Sequence, residues 1–91
     1  MFTLNNFHVM ASAVRAGRCA LNWSQRDLAE KSGVSLPTVA RLESANASPK
    51  LETVIRLVGA IEQGGVKYDW TQAEGFSLAY NPKVRHAVGS A

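Results

Sequence analysis

Residues 24–43 read SQRDLAEKSGVSLPTVARLE, and the order of cap, apolar and turn residues in that stretch decides how the chain folds. Ser24 is a strong helix N-cap, and Asp27, three positions on, is placed to reach back to it in a capping box. Ser35 repeats the N-cap role. Between the two starts, Gly33 tolerates the left-handed backbone at which a helix stops. Ala29 is small enough for a second helix to cross closely, and Leu28, Val34, Val39 and Leu42 supply apolar contacts. The pattern predicts two short helices, about Gln25 to Ser32 and Leu36 to Ser44, joined by a tight turn.

Upstream, Phe7, Met10, Val14 and Leu21 recur at helical spacing, so a helix is expected from an N-cap at Asn5 or Asn6 to Leu21, with Asn22 as its left-handed stop. Downstream, Ala45 to Lys50 is a loop by its turn residues Asn46, Ser48 and Pro49. A fourth helix follows, with Leu51, Val54, Ile55, Val58 and Ile61 as its apolar face and Gly64-Gly65 as its end. Beyond the glycines the apolar period changes to two. Val66, Tyr68 and Trp70, then Phe76, Leu78 and Tyr80, alternate with polar residues and predict a β-hairpin closed by the loop Thr71 to Gly75. From Asn81 the pattern ends, and a mobile tail carrying Lys83 and Arg85 is expected. The chain therefore divides into 1–65 (helical), 66–80 (hairpin) and 81–91 (tail). Two strands alone are marginal in water, so the hairpin packs either on its own helices or, by a strand edge, on a second copy.

The spacing of Gln25, Leu28, Ala29, Gly33, Val34, Val39 and Leu42, with Trp23-Ser24 ahead and Glu43 behind, resembles the lambda-repressor-like helix-turn-helix family, also called the Xre or Cro/CI-type family. The resemblance covers roughly Phe7 to Ile61. Ser32 departs from it, since the family usually has an apolar residue there. It implies a mainly α fold, a lambda-repressor-like bundle of four helices, to which this chain adds a short C-terminal β-hairpin. It also implies a sequence-specific DNA-binding transcriptional regulator whose partner is double-stranded DNA. A repressor acting as a homodimer on an inverted repeat is the simplest form, because one such unit reads only a few base pairs. The alternative is an antitoxin that binds both operator DNA and a toxin protein.

Turning 100° per residue from Val39 places Leu42 and Glu43 on the inward side of the third helix and Pro37, Arg41 and Ser44 on the outward side. The resemblance assigns base contacts to Ser35, Leu36, Pro37, Thr38 and Arg41. Arg41 suits that task because its planar fork matches O6 and N7 of guanine. Leu36 and Pro37 fit either thymine methyl groups or an ordinary first helical turn, and Thr38 either a DNA contact or a bond to its own helix. Phosphate contacts are expected from Gln25, Arg26, Ser44, Asn46, Ser48 and Lys50. For Gln25 the resemblance implies a backbone contact and a brace on the start of the third helix. Arg18 falls inside the apolar stripe of the first helix and Glu43 on the inward side of the third, and a buried charge needs a partner. The resemblance supplies one: an Arg18–Glu43 salt bridge.

Composition sets outer bounds. Ninety-one residues suffice for one domain with a modest core, and a net charge of +3 is compatible with a polyanionic partner without demanding one. Cys19, the single cysteine, rules out an internal disulfide and is expected as a small apolar residue of the first helix, as free cysteines commonly are. Trp23 is expected in the core. No run reaches the length of a transmembrane helix and no signal-peptide pattern opens the chain, so no membrane role and a cytoplasmic location are expected. His8, His86 and Cys19 lack metal-ligand spacing and no glycine-rich loop cradles a nucleotide, which leaves no enzyme and no cofactor to propose.

Overall fold

The starts of the second and third helices are built from side-chain hydrogen bonds at fixed offsets. The computed structural model describes residues 7–45, 48–71 and 75–82; Asn5, Asn6, Asn46, most of the hairpin loop and the tail with Lys83 and Arg85 lie outside the described residues. Helices α1 (Phe7–Ala20), α2 (Gln25–Ser32), α3 (Leu36–Glu43) and α4 (Leu51–Gln63) precede strands β1 (Val66–Asp69) and β2 (Ser77–Tyr80). The protein is thus a mainly helical bundle with a C-terminal antiparallel hairpin.

At the start of α2, the Ser24 hydroxyl accepts from the Asp27 amide at 2.9 Å while the Asp27 carboxylate accepts from the Ser24 amide at 2.8 Å. That backbone bond, first among its causes, holds the Asp27 carboxyl below the usual aspartate range. The helix stops at Gly33, φ 75°, whose amide donates to the Ala29 carbonyl. Ser32, polar where an apolar residue is usual, has a local use: its hydroxyl accepts from Val34 N–H at 3.2 Å and lies 3.4 Å from the Ala29 carbonyl. Ser35 caps α3, with Pro37 in the first turn, where a missing N–H leaves no bond unmade.

The core gathers Met10, Ala13 and Val14 of α1, Leu28 of α2, Val39 and Leu42 of α3, and Val54, Leu57 and Ile61 of α4, with Leu21, Val34, Val66 and Tyr68. Several boundaries and faces differ from the sequence expectation. Helix α1 ends at Ala20 and not at Leu21, because the Leu21 amide already shares the carbonyls of Gly17 and Arg18 in a tightened turn; Asn22 is left-handed at φ 64°. Helix α3 ends at Glu43, and Ser44 is its C-cap.

Cys19 is exposed, not a buried apolar residue. The small residues α1 buries are Ala11, Ala13 and Gly17, and Cys19 stands about 200° round the helix from Gly17. On α4 the expected stripe is rotated. Leu51 and Ile55 are exposed, whereas Leu57, absent from the expected face, is fully buried beside Val54 and Ile61. Trp23 is half-buried against the core, with the Lys31 ammonium 5.1 Å from its ring centroid.

In the hairpin, Val66 pairs with Tyr80 and Tyr68 with Leu78, so the large side chains of both strands share one face. Strand β1 turns Val66 and Tyr68 into the helical core, while Leu78 and Tyr80 on β2 are only half-buried. Trp70 and Phe76 lie beyond the ladder yet join Tyr68 in an aromatic cluster, with centroids 5.0 Å (Tyr68–Trp70) and 5.9 Å (Trp70–Phe76) apart. Gly65, φ 116°, turns the chain from α4 into β1 where the Asn81 carbonyl leaves no room for a Cβ. Among the described residues no helix is long and apolar enough to cross a membrane.

Candidate nucleic-acid interface

Helix α3 is fixed from below and at its C-terminal end. Val39 and Leu42 sit in the core, and Glu43, 5% exposed, is its buried charge. The Arg18 guanidinium grips that carboxylate in bidentate fashion, Nε to Oε2 at 2.7 Å and Nη2 to Oε1 at 3.0 Å, and its Nη1 donates to the Trp23 carbonyl at 2.8 Å. The bond to Glu43 raises the Arg18 pKa above the ordinary arginine value, against the opposing effect of burial. No buried side-chain nitrogen or oxygen among the described residues lacks a partner, which is what a charge in a partly dry site requires.

Gln25 departs from its expected position. Its Nε2 donates to Glu43 Oε1 at 3.1 Å, so it braces the end of α3 and not the start. The reason is geometric: α2 crosses α3 so that its first turn meets the last turn of its neighbour. Arg15, which the sequence reading passed over, donates from Nη1 to the Glu43 backbone carbonyl at 2.8 Å, placing a cation at the negative end of the α3 dipole. A signal was available, since Arg15 and Arg18 are one helical turn apart and share a face of α1.

On the opposite side of α3, Ser35, Pro37, Arg41 and Ser44 are exposed, and Leu36 and Thr38 are half-buried. The Ser35 and Thr38 hydroxyls are 2.8 Å apart, and the Ser44 hydroxyl donates to the Arg41 carbonyl at 2.9 Å. Thr38, Arg41 and Leu42 form one wall of a cleft of about 310 Å³ whose other wall is Ser48, Pro49, Lys50 and Thr53. Lys50 is the N-cap of α4 and makes no side-chain capping bond. The cleft therefore combines two cations and three hydroxyls at the head of a 13-residue helix, a donor-rich set suited to an anion. It brings together Thr38, Arg41, Ser48 and Lys50 of the expected residues. Gln25 and the exposed Arg26 lie apart on α2. Thr53 was missed, though its place one turn after Lys50 at the head of a helix points to it.

Two capped helices meeting at a left-handed glycine, the second anchored beneath and polar above, define a helix-turn-helix protein. The helix-turn-helix family model matches residues 14–62, more than half of the chain, and the chain belongs to that family, the Xre or lambda-repressor-like helix-turn-helix proteins. It is, in general terms, a DNA-binding transcription regulator. No curated protein matches the chain.

Proposed function

We propose that the protein is a sequence-specific repressor that binds an inverted-repeat operator as a homodimer. The observation that carries this reading is the two-sidedness of α3: Glu43 and the core residues hold one side, while Arg41 projects from the other beside the cleft it shares with Lys50. In this reading Ser35, Leu36, Pro37, Thr38 and Arg41 face base edges, with Arg41 reading a guanine. Gln25, Arg26, Ser44, Ser48 and Lys50 fix the register on phosphates, and the sequence adds Asn46 to that set. Thr38 reaches a base only with the part of its hydroxyl that Ser35 leaves free. Occupation of a promoter by such a dimer blocks transcription without a ligand-binding domain. Selection of bound sites from a random DNA pool tests the proposal. A two-fold symmetric consensus is expected; recovery of no preferred sequence would overturn it.

The antitoxin reading finds its support in the half-buried face of Trp70, Phe76, Leu78 and Tyr80, which a protein partner would cover. Its test is co-purification with the product of a neighbouring gene, lost on Leu78→Lys.

A further inference from the structure

Helix α4 carries a surface that neither the core nor the DNA-facing cleft accounts for. Leu51 and Ile55, 53% and 58% exposed, stand in solvent one turn apart. One turn further, Gly59 faces open space: a Cβ there would meet nothing within 4 Å. Alongside run Glu52 and Arg56, ion-paired at 3.1 Å with 75% and 52% of their side-chain surfaces exposed. The result is an apolar strip that ends in a gap and is bordered by an acid toward the helix start and a base one turn on.

A strip of this kind is its own complement when reversed. We infer that it is the docking face for a second copy of the chain, α4 against α4, antiparallel about a two-fold axis near Ile55. The two Ile55 side chains then meet at the axis, and Leu51 of each copy fills the space over Gly59 of the other. Glu52 of each then faces Arg56 of the other across the seam, so each acid gains a second base beside its own.

This inference rests on the dimer proposed above and assigns its contact to α4 and not to the hairpin, whose Val66 and Tyr68 are taken up by the chain's own helices. Two partly exposed apolar side chains per copy fall well below the roughly 1,200–2,000 Å² that stable interfaces bury. Association of the free protein is therefore weak, and the contact becomes effective when DNA holds two copies side by side. Leu51 directly follows Lys50 of the basic cleft, so the docking face adjoins the DNA-facing one.

Two measurements separate the docking face from the DNA reading. Without DNA, amide chemical shifts of the full chain are followed from micromolar to millimolar concentration. Concentration-dependent shifts are expected at 51–59 and should disappear in Leu51→Gln/Ile55→Gln; their absence, or shifts centred on 66–80, would overturn the inference. With DNA, binding to the selected operator is compared with binding to one isolated half-site. The wild type should show cooperativity in the range of about 5–150-fold, which Leu51→Gln/Ile55→Gln reduces to about one while half-site affinity is unchanged. Glu52→Arg and Arg56→Glu should each lower cooperativity and together restore it. Cooperativity retained in the Leu51/Ile55 variant would overturn the docking face. Failure of the wild type to bind even a half-site would strike the DNA reading alone, and the DNA-free shifts would still decide the docking face.

Discussion

The Tyr68 hydroxyl donates a 2.6 Å hydrogen bond to the Ala13 carbonyl, 55 residues earlier in the chain, and so fastens the hairpin to the first helix. Burial pushes the phenol above its ordinary pKa of 10.0. Tyr68→Phe should cost about 0.5–1.5 kcal/mol at neutral pH, the net worth of one such bond. The linkage has a definite sign. With the folded value raised, the contribution of the neutral phenol is complete below the unfolded value and is lost as pH climbs past 10. Urea unfolding on both sides of that pH should show a steeper alkaline loss for the wild type than for Tyr68→Phe, and parallel curves would contradict the assignment.

Gly17 makes room for that phenol. A Cβ at this position would collide with the Tyr68 hydroxyl and lie 2.7 Å from Ile61 Cγ2. Although alanine is the better helix former, Gly17→Ala should lower stability by about 1–3 kcal/mol through overpacking. Thermal unfolding checks this. Adding Tyr68→Phe should recover part of the loss, a non-additivity expected only if the two groups compete for one space.

Breaking the buried ion pair should be among the most damaging single changes. Arg18→Ala leaves the Glu43 carboxylate with Gln25 alone in a nearly dry site, and the expected loss is about 3–5 kcal/mol by denaturant titration. Replacing both partners, Arg18→Met with Glu43→Leu, should be much less harmful than either single truncation. A loss below about 1 kcal/mol for Arg18→Ala would place the pair with ordinary surface salt bridges.

On DNA, Arg41 and Lys50 should separate by the kind of loss they produce. Arg41→Ala should relax preference at one position per half-site by about 1–3 kcal/mol of discrimination. Lys50→Ala should weaken all sequences alike and make the log–log salt dependence shallower by about one unit. Binding measured across salt and across operator variants distinguishes them; equal loss on every sequence for Arg41→Ala would remove it from base reading.

The features legible in the sequence were those written at fixed short offsets. Ser24 with Asp27, Gly33, and Ser35 with Thr38 make their bonds within a turn or two of backbone, so residue type and spacing suffice. The outward side of α3 was legible for the same reason, since helical geometry alone separates Arg41 from Val39. The azimuth of α4 was not. Its apolar residues span a wide arc, and only the positions of α1, α2 and β1 around it select Leu57 over Leu51 and Ile55 for burial. Contacts that cross between helices, such as Gln25 and Arg15 on Glu43, depend on where two helix ends meet, and no local spacing records that. Small residues misled too: α1 packs through Ala13 and Gly17, so Cys19 was left outside.

Glu43 and its three partners grip α3 at the end remote from its Ser35 cap, and the exposed Pro37 and Arg41 on its outer surface lie outside the core. In the proposed reading, selection can therefore exchange those residues, giving the same scaffold new target sites in succession, without each change threatening the survival of the folded domain.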